Sequence, residues 1–235
     1  MNSKETIESY LYIGKDKLSF CIFNNIDQKI YEKETLLDSY TKKNNLVDLV
    51  DLFFEENVLK IEKKINKFVN EINLIFFDSN FIPIQAGIKK SRPGEKINNR
   101  DLYHMLFDLK QQIKENNSDK TIIHMRINNF LIDKKRSLIL DNNFDCSELC
   151  LEIDFVCLSN EIIDILSKKT KKYQISISKI FSAEYLEKNY KLTNNDECIT
   201  ASRFKHENDE NEVHLIKKIP RKKGFFERFF SFFTN

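Results

Sequence analysis

The chain has 235 residues, which is enough for one domain or two small ones. Its formal net charge of +2 is close to balance, so the composition argues against nucleic-acid binding and predicts that any electrostatic function depends on a local cluster of charges. With only 4 glycines, the chain has few loops that could cradle a phosphate group.

The cysteines and the first residues indicate a compartment. Five cysteines, an odd number with no Cys-x-x-Cys pair, favour reduced thiols in a cytoplasm over a disulfide framework. The first residues lack the basic and then apolar pattern of a secretory signal. The sequence also has no run of about 18 apolar residues. We therefore expect a protein that is either soluble or bound to the surface of a membrane.

The first part of the chain predicts strands on either side of a helical region. Residues 10–34 predict two strands around a turn at the asparagine pair 24–25. Residues 45–71 predict one long helix or two, because apolar residues recur at spacings of three and four. Residues 72–88 predict a β-hairpin with its turn at 78–80.

A second helix is predicted over residues 100–116, after the Pro-Gly pair at 93–94. Asn98 or Asn99 would cap this helix. Its apolar face would comprise Leu102, Leu106, Leu109 and Ile113.

The rest of the chain again mixes strands with helices. We predict strands over 121–127 and 128–135, paired with each other, and over 149–158, 173–180 and 197–206. A short helix over 160–172 would be capped by Ser159 or Asn160, and a helical turn is predicted over 182–190. Strands and helices in this order predict the α+β fold class.

The last residues predict an amphipathic helix. On a helical projection, six phenylalanines cover one arc of roughly 160°, and only polar or charged residues occupy the other side. This pattern is typical of a helix that lies in the plane of a membrane interface, with basic residues attracted to anionic lipids. The predicted membrane-binding residues are Phe225, Phe226, Phe229, Phe230, Phe232, Phe233, Lys217, Lys218, Arg221, Lys222, Lys223 and Arg228. The alternative is a terminal helix that packs on the protein's own core or on a second copy.

We predict no catalytic residue, cofactor site or metal site. The four histidines are scattered at His104, His124, His206 and His214. Cys146 and Cys150 lie four residues apart without a second pair, whereas a zinc site needs about four suitably spaced ligands. Cys157 lies in an apolar strand, where a thiol is expected to be inert. The acidic stretch 206–212 is interpreted as a solvated linker.

The terminal helix and the middle of the chain together resemble the FtsA family, which are actin-like bacterial division proteins that tether the division ring to the membrane. The resemblance runs from about residue 72 to 186. Asp101 matches the last acidic residue of the family's Thr-Glu-(Glu/Asp)-Asp motif, and His124 and Asp133 match positions in a later strand pair. By this resemblance, residues 1–97 are a partial 1A-like subdomain and 98–190 are a 1C-like subdomain. Residues 191–216 are a return strand and acidic linker, and 217–235 are a basic linker and membrane-targeting helix.

The chain departs from the family at the nucleotide site. Tyr12 stands where the first actin-like strand has an acidic residue, and tyrosine cannot position Mg²⁺ and water as a carboxylate does. After residue 186 only about 50 residues remain, too few for the subdomains that complete the cleft and receive the FtsZ tail. We therefore expect no ATPase activity and no direct binding of that tail.

The resemblance implies a non-enzymatic peripheral membrane adaptor on the cytoplasmic face of the inner membrane. The expected partners are anionic membrane lipids and division proteins, either of the FtsA or FtsN type or a second copy of this chain as a homo-oligomer. One alternative is a degenerate actin-like ATPase that binds nucleotide and polymerises. Another is a soluble scaffold of a type IV pilus or another actin-like system, which the terminal helix argues against.

Overall fold

The computed structural model describes residues 7–25, 28–37, 45–138, 140, 144, 146–190, 196–206 and 211–213. Within these residues the strands are β1 (Glu8–Ile13), β2 (Lys17–Asn25), β3 (Gln28–Leu36), β4 (Glu71–Phe76), β5 (Ile82–Ser91), β6 (Lys120–Ile132), β7 (Lys135–Ser137), β8 (Glu148–Ser159) and β9 (Ser176–Ser182). The helices are α1 (Leu46–Ile65), α2 (Asn99–Asn116), α3 (Asn160–Lys171), α4 (Ala183–Asn189) and α5 (Glu197–His206). The α+β prediction is confirmed.

The first sheet is mixed and has the strand order β3-β2-β1-β4-β9. Strands β1, β2 and β3 pair antiparallel, whereas β1 with β4 and β4 with β9 pair parallel. Helices α1 and α3 pack on one face, and α4 and α5 pack on the other. Because both faces are covered, β1 and β4 are almost continuously buried, which explains their unbroken apolar runs.

The second sheet is antiparallel throughout and has the strand order β5-β8-β6-β7. Helix α2 covers one face of this sheet and buries Met105, Leu106, Leu109 and Ile113 against it. The other face carries mostly polar side chains. Strand β5 therefore alternates between half-buried and exposed residues, as a strand covered on one side does.

The helices predicted over 45–71, 100–116, 160–172 and 182–190 are confirmed over most of their lengths, but the predicted first strand is two strands. Strands β1 and β2 form a hairpin, and the Gly14 N–H donates to the Lys17 carbonyl at 2.8 Å across its turn. The second predicted strand corresponds to β3.

The predicted hairpin over 72–88 is wrong. A turn does form, since the Phe81 N–H donates to the Asp78 carbonyl at 3.2 Å. The two strands that it joins lie in different sheets, however, β4 in the first and β5 in the second. Strand β4 is buried on both faces, whereas β5 is buried on only one. The two strands therefore suit different sheets and do not pair with each other.

Two other predictions are also wrong, one of a strand pair and one of a single strand. Residues 121–127 and 128–135 do not form two strands paired with each other, because β6 continues from Lys120 to Ile132 with an irregular register. The hairpin turn lies at Asp133 and Lys134, both with positive φ, and leads into β7. Residues 197–206 form helix α5 instead of a strand, because this helix places Cys198, Ala201 and Phe204 on the first sheet.

The strand pairing does not follow the predicted boundary between 97 and 98. Strand β5 precedes that boundary but pairs with β8 in the second sheet. Strand β9 follows it but pairs with β4 in the first sheet. The second sheet is therefore inserted between β4 and β9, and the chain returns to the first sheet after α3.

Candidate interaction site

The predicted membrane-binding residues, 217–235, lie outside the described residues. The described chain ends in a short segment, 211–213, that pairs with β6 on the edge that β7 also uses. The Ile127 N–H donates to the Asn211 carbonyl and the Val213 N–H donates to the Met125 carbonyl, both at 2.8 Å. The sequence that follows this point is the basic and phenylalanine-rich stretch.

Tyr12, which stands where the family resemblance expects the acidic residue of a nucleotide site, places its ring in the turn between β1 and β2. A Cβ atom on Gly14 would lie 2.7 Å from Cε1 and from the hydroxyl oxygen of Tyr12, so the ring covers this glycine. The Tyr12 hydroxyl is hydrogen-bonded to Glu197 at the start of α5, and burial together with this carboxylate raises the pKa of Tyr12. Glu197 also lies 3.6 Å from the Lys17 ammonium. An aromatic ring and a carboxylate are therefore present where a phosphate would need space and positive charge.

A groove of about 520 Å³ lies where α4 meets β5 and β8. This volume is in the range of pockets that hold a small-molecule ligand. Apolar side chains of Phe81, Pro83, Phe155 and Val156 line part of it.

Polar groups of β5, β8 and α4 occupy the rest of the groove. The Gln85 amide donates to Asp154 Oδ1 at 3.1 Å, and the Lys188 ammonium lies 4.0 Å from Asp154 Oδ2. Glu184 adds a second carboxylate. The groove thus combines an apolar surface with side chains of both charges and lies beside β5, the outermost strand of the second sheet.

Tyr185 on α4 lines the groove and connects it to a buried polar cluster. Its hydroxyl donates to Glu212 Oε2. Its ring stacks on His124 of β6, with centroids 4.0 Å apart and planes within 10°. Burial, followed by the charge of Glu212, raises the pKa of Tyr185. The cluster therefore connects α4, which lines the groove, to β6 and to the segment 211–213.

The three residues that match the family motifs have structural roles. Buried His124 accepts a hydrogen bond at Nε2 from the Ser182 N–H at 3.1 Å, and Nδ1 lies 3.8 Å from Glu212 Oε1. Asp101 belongs to the cap of α2. Asp133 Oδ1 accepts hydrogen bonds from Ser147 and from the Glu148 N–H at 2.9–3.0 Å, and these bonds lower the pKa of Asp133.

Sequence reasoning missed one cluster of metal-binding residue types. Cys21 of β2, Cys198 of α5 and Asp196 just before α5 place one sulfur or oxygen atom each within 4.8 Å of one another. Among the described residues this is the one such group. Its members come from opposite ends of the chain, and no spacing motif in the sequence connects them.

No helix within the described part of the chain has both the length and the apolar character needed to cross a membrane.

Neither protein-family models nor curated proteins match this sequence. Several solved structures are similar at low identity. One is a PilM–PilN type IV pilus biogenesis complex, which is 8% identical, covers 77% of this chain and 48% of its own, and has a TM-score of 0.47. Another is the cytoplasmic domain of EpsL, an inner membrane component of the type II secretion system of Vibrio cholerae. It is 11% identical, and the match covers 77% of this chain and 59% of that domain, with a TM-score of 0.37.

A third similar structure is a protein of unknown function from Bacteroides thetaiotaomicron with an actin-like ATPase fold. It is 13% identical, and the match covers 79% of this chain and 55% of that protein, with a TM-score of 0.35. This chain thus spans about half the length of the structures that it matches.

Proposed function

We propose that this chain is a non-enzymatic adaptor that binds a membrane surface and a protein partner. In its more specific form, the proposal is a reduced FtsA-like protein on the cytoplasmic face of the inner membrane, where it recruits bacterial division proteins. The observation that carries the proposal is the terminal sequence, with six phenylalanines on one helical arc behind a basic cluster.

The energetics of the terminal segment favour reversible binding to lipid. A fully buried Phe side chain contributes roughly 1.5–3 kcal/mol, and an interface provides part of that. Each nearby Lys or Arg adds about 1 kcal/mol at an anionic surface. These gains offset an ordering cost of roughly 1–2 kcal/mol for each residue of the helix. The terminal segment should therefore bind membranes with a modest affinity that depends on their anionic lipid content and on salt.

The groove beside β5 supports the second half of the proposal. It offers an apolar surface with polar groups along its wall, the usual composition of a binding site. Lipid and protein contacts on one chain reinforce each other through effective concentration, so each of them can be weak. The proposed protein partner is a division protein of the FtsA or FtsN type, or a second copy of this chain.

The β1–β2 turn supports the non-enzymatic part of the proposal. Tyr12 covers Gly14, and Glu197 places a negative charge beside them. Both features disfavour a bound nucleotide phosphate, which makes the alternative of a nucleotide-dependent polymerising ATPase the weaker proposal.

Co-sedimentation with anionic liposomes tests the membrane contact. The full chain is expected to pellet at low salt, and Phe229→Glu/Phe233→Glu is expected to stay in solution. The matched control is Ser231→Glu/Thr234→Glu, which adds the same two charges on the polar side of the predicted helix and should still pellet. If the wild type stays in solution, the membrane contact is refuted. If both variants lose binding equally, the phenylalanine side of the helix is not what binds the membrane.

Photocrosslinking in cells tests the protein contact. A photoreactive amino acid at Gln85, in the groove, is expected to crosslink to a division protein or to a second copy of the chain. The control position is Lys114, which is exposed on α2. Identical crosslinks from the two positions, or none from Gln85, would exclude the groove as the partner site.

A further inference from the structure

We propose that Cys21, Cys198 and Asp196 bind one zinc ion between β2 and the start of α5. The three ligand atoms lie within 4.8 Å of one another. Zinc–sulfur bonds of about 2.3 Å and zinc–oxygen bonds of about 2.0–2.2 Å would bring them somewhat closer together. Two thiolates with one carboxylate are a donor set that favours Zn²⁺ over Mg²⁺ or Ca²⁺.

The two thiols lie together in a buried site with a hydroxyl beside one of them. Cys21 is fully buried and Cys198 is 1% exposed. The Ser19 hydroxyl lies 3.6 Å from Cys21 Sγ and remains beside the sulfur when the metal binds.

A divalent ion would offset most of the negative charge in the cluster. The Lys29 ammonium is bonded to Asp196 Oδ2 and lies 2.7 Å from Glu32 Oε1. Two thiolates and the Asp196 carboxylate carry three negative charges, of which one Zn²⁺ would offset two, and the positive charge of Lys29 is shared between Asp196 and Glu32. On binding, Lys29 stays with Glu32, each thiol loses its proton to solvent, and water takes the fourth position. This compensation lowers the cost of burying the thiolate and carboxylate charges.

Asp196 links the site to the position of α5. Its Oδ1 accepts a hydrogen bond from the Ile199 N–H at 2.9 Å and thus caps the helix, which leaves Oδ2 for a cation. A metal at this point would tie α5 to the first sheet. Helix α5 leads to the segment 211–213 and then to the proposed membrane helix, so the ion would stabilise the part of the body from which that helix departs.

A Co²⁺ titration of the reduced full chain tests the site, because cobalt bound by thiolates absorbs in the near ultraviolet. We expect this absorption to saturate at one equivalent and to be removed by Zn²⁺.

The Cys198→Ala variant should abolish the absorption, whereas Cys150→Ala, in the second sheet, should leave it unchanged. Asp196→Asn keeps the helix cap and should weaken Co²⁺ binding by about 10–100-fold. Because two thiol protons are released, the affinity should rise with pH.

Several outcomes would overturn the proposal. One is a wild-type chain without thiolate absorption, and another is absorption that persists in Cys198→Ala. If the reduced chain binds no metal but a mild disulfide-forming oxidant joins Cys21 to Cys198, the pair is a redox pair. Circular dichroism checks the fold of Cys198→Ala. If that variant unfolds, the Co²⁺ affinity of Asp196→Asn becomes the deciding measurement. An affinity equal to that of the wild type refutes the site.

Discussion

Asp51 on α1 holds the end of α3 through hydrogen bonds to three residues. Its carboxylate accepts them from Lys169 at 2.6 Å, from Lys172 at 3.1 Å and from the Tyr173 hydroxyl at 2.9 Å. The bond from Lys169, together with the other two, lowers the pKa of Asp51 to about 2. The unfolded-state pKa is ~3.9. The stabilisation is therefore fully present above this pH and is lost as the pH falls through about 2.

Replacing Asp51 should lower stability in a pH-dependent way. At pH 7 we expect Asp51→Asn to lower Tm by about 2–4 °C. The difference from wild type should shrink between pH 4 and pH 2 as the native carboxylate gains its proton. Thermal denaturation at several pH values measures this, with Asp108→Asn on the exposed side of α2 as the control. A difference that is the same at every pH would contradict the ion-pair explanation.

Tyr185 stabilises the carboxylate of Glu212, which is otherwise buried beside His124. Tyr185→Phe removes the hydroxyl donor and leaves the carboxylate with less compensation. We expect a loss of about 1–3 kcal/mol in the free energy of unfolding. Tyr190→Phe is the control, because the Tyr190 hydroxyl contacts Arg126 at 3.2 Å in a half-buried position and should matter less. Urea denaturation measures both variants, and equal losses would argue against a special role for Tyr185.

At the scale of elements, the start of α2 is defined by a capping box. The Asn98 side chain accepts a hydrogen bond from the Arg100 N–H at 2.9 Å, and Asp101 Oδ2 accepts one from the Asn98 N–H at 3.2 Å. Lys90 on β5 lies 2.8 Å from the Asp101 carboxylate, so the cap also fastens the helix to the second sheet. Helix α2 therefore begins where the backbone N–H groups of its first turn find side-chain acceptors, next to the strand that borders the groove.

Removing this cap should destabilise the protein measurably. We expect Asn98→Ala to cost about 1 kcal/mol in the free energy of unfolding, because the first helical N–H groups lose an acceptor. Asn98→Asp keeps an acceptor oxygen and should cost much less. Urea denaturation compares the two variants. If Asn98→Asp were as destabilising as Asn98→Ala, the side-chain cap would not be what stabilises α2.

At the scale of the whole molecule, helix α5 closes the end of the first sheet where β1 turns into β2. Cys198, Ala201 and Phe204 pack on that sheet, while Glu197 reaches Tyr12 and Lys17. The turn is thus covered by a second part of the same chain. A bound nucleotide would have to displace the Tyr12 ring and approach the Glu197 carboxylate.

We therefore expect the purified chain to show no saturable binding of a fluorescent ATP analogue with Mg²⁺ up to millimolar concentration. Titration by fluorescence anisotropy measures this. If a signal were seen, Lys17→Glu would show whether it comes from the β1–β2 turn, because the substitution removes the cation there. Saturable binding that this variant abolishes would restore the alternative of an actin-like ATPase.

The sequence by itself determined the α+β class and most helices, because these depend on local signals. Helix α1 has apolar residues at helical spacing, and α2 and α3 have their caps at Asn98 and Ser159. The amphipathic pattern of the last residues is local as well, so the proposed membrane contact was also found from sequence.

Only the tertiary structure decided how the strands pair and which distant residues meet. Strands β4 and β5 follow each other around a short turn and yet belong to different sheets, because one is buried on two faces and the other on one. Residues 197–206 favoured a strand by local preference, but packing of one helical face on the first sheet stabilises α5. The same packing brings Cys198 to Cys21 and covers Gly14, and such contacts between the two ends of a chain leave no periodic signal in the sequence.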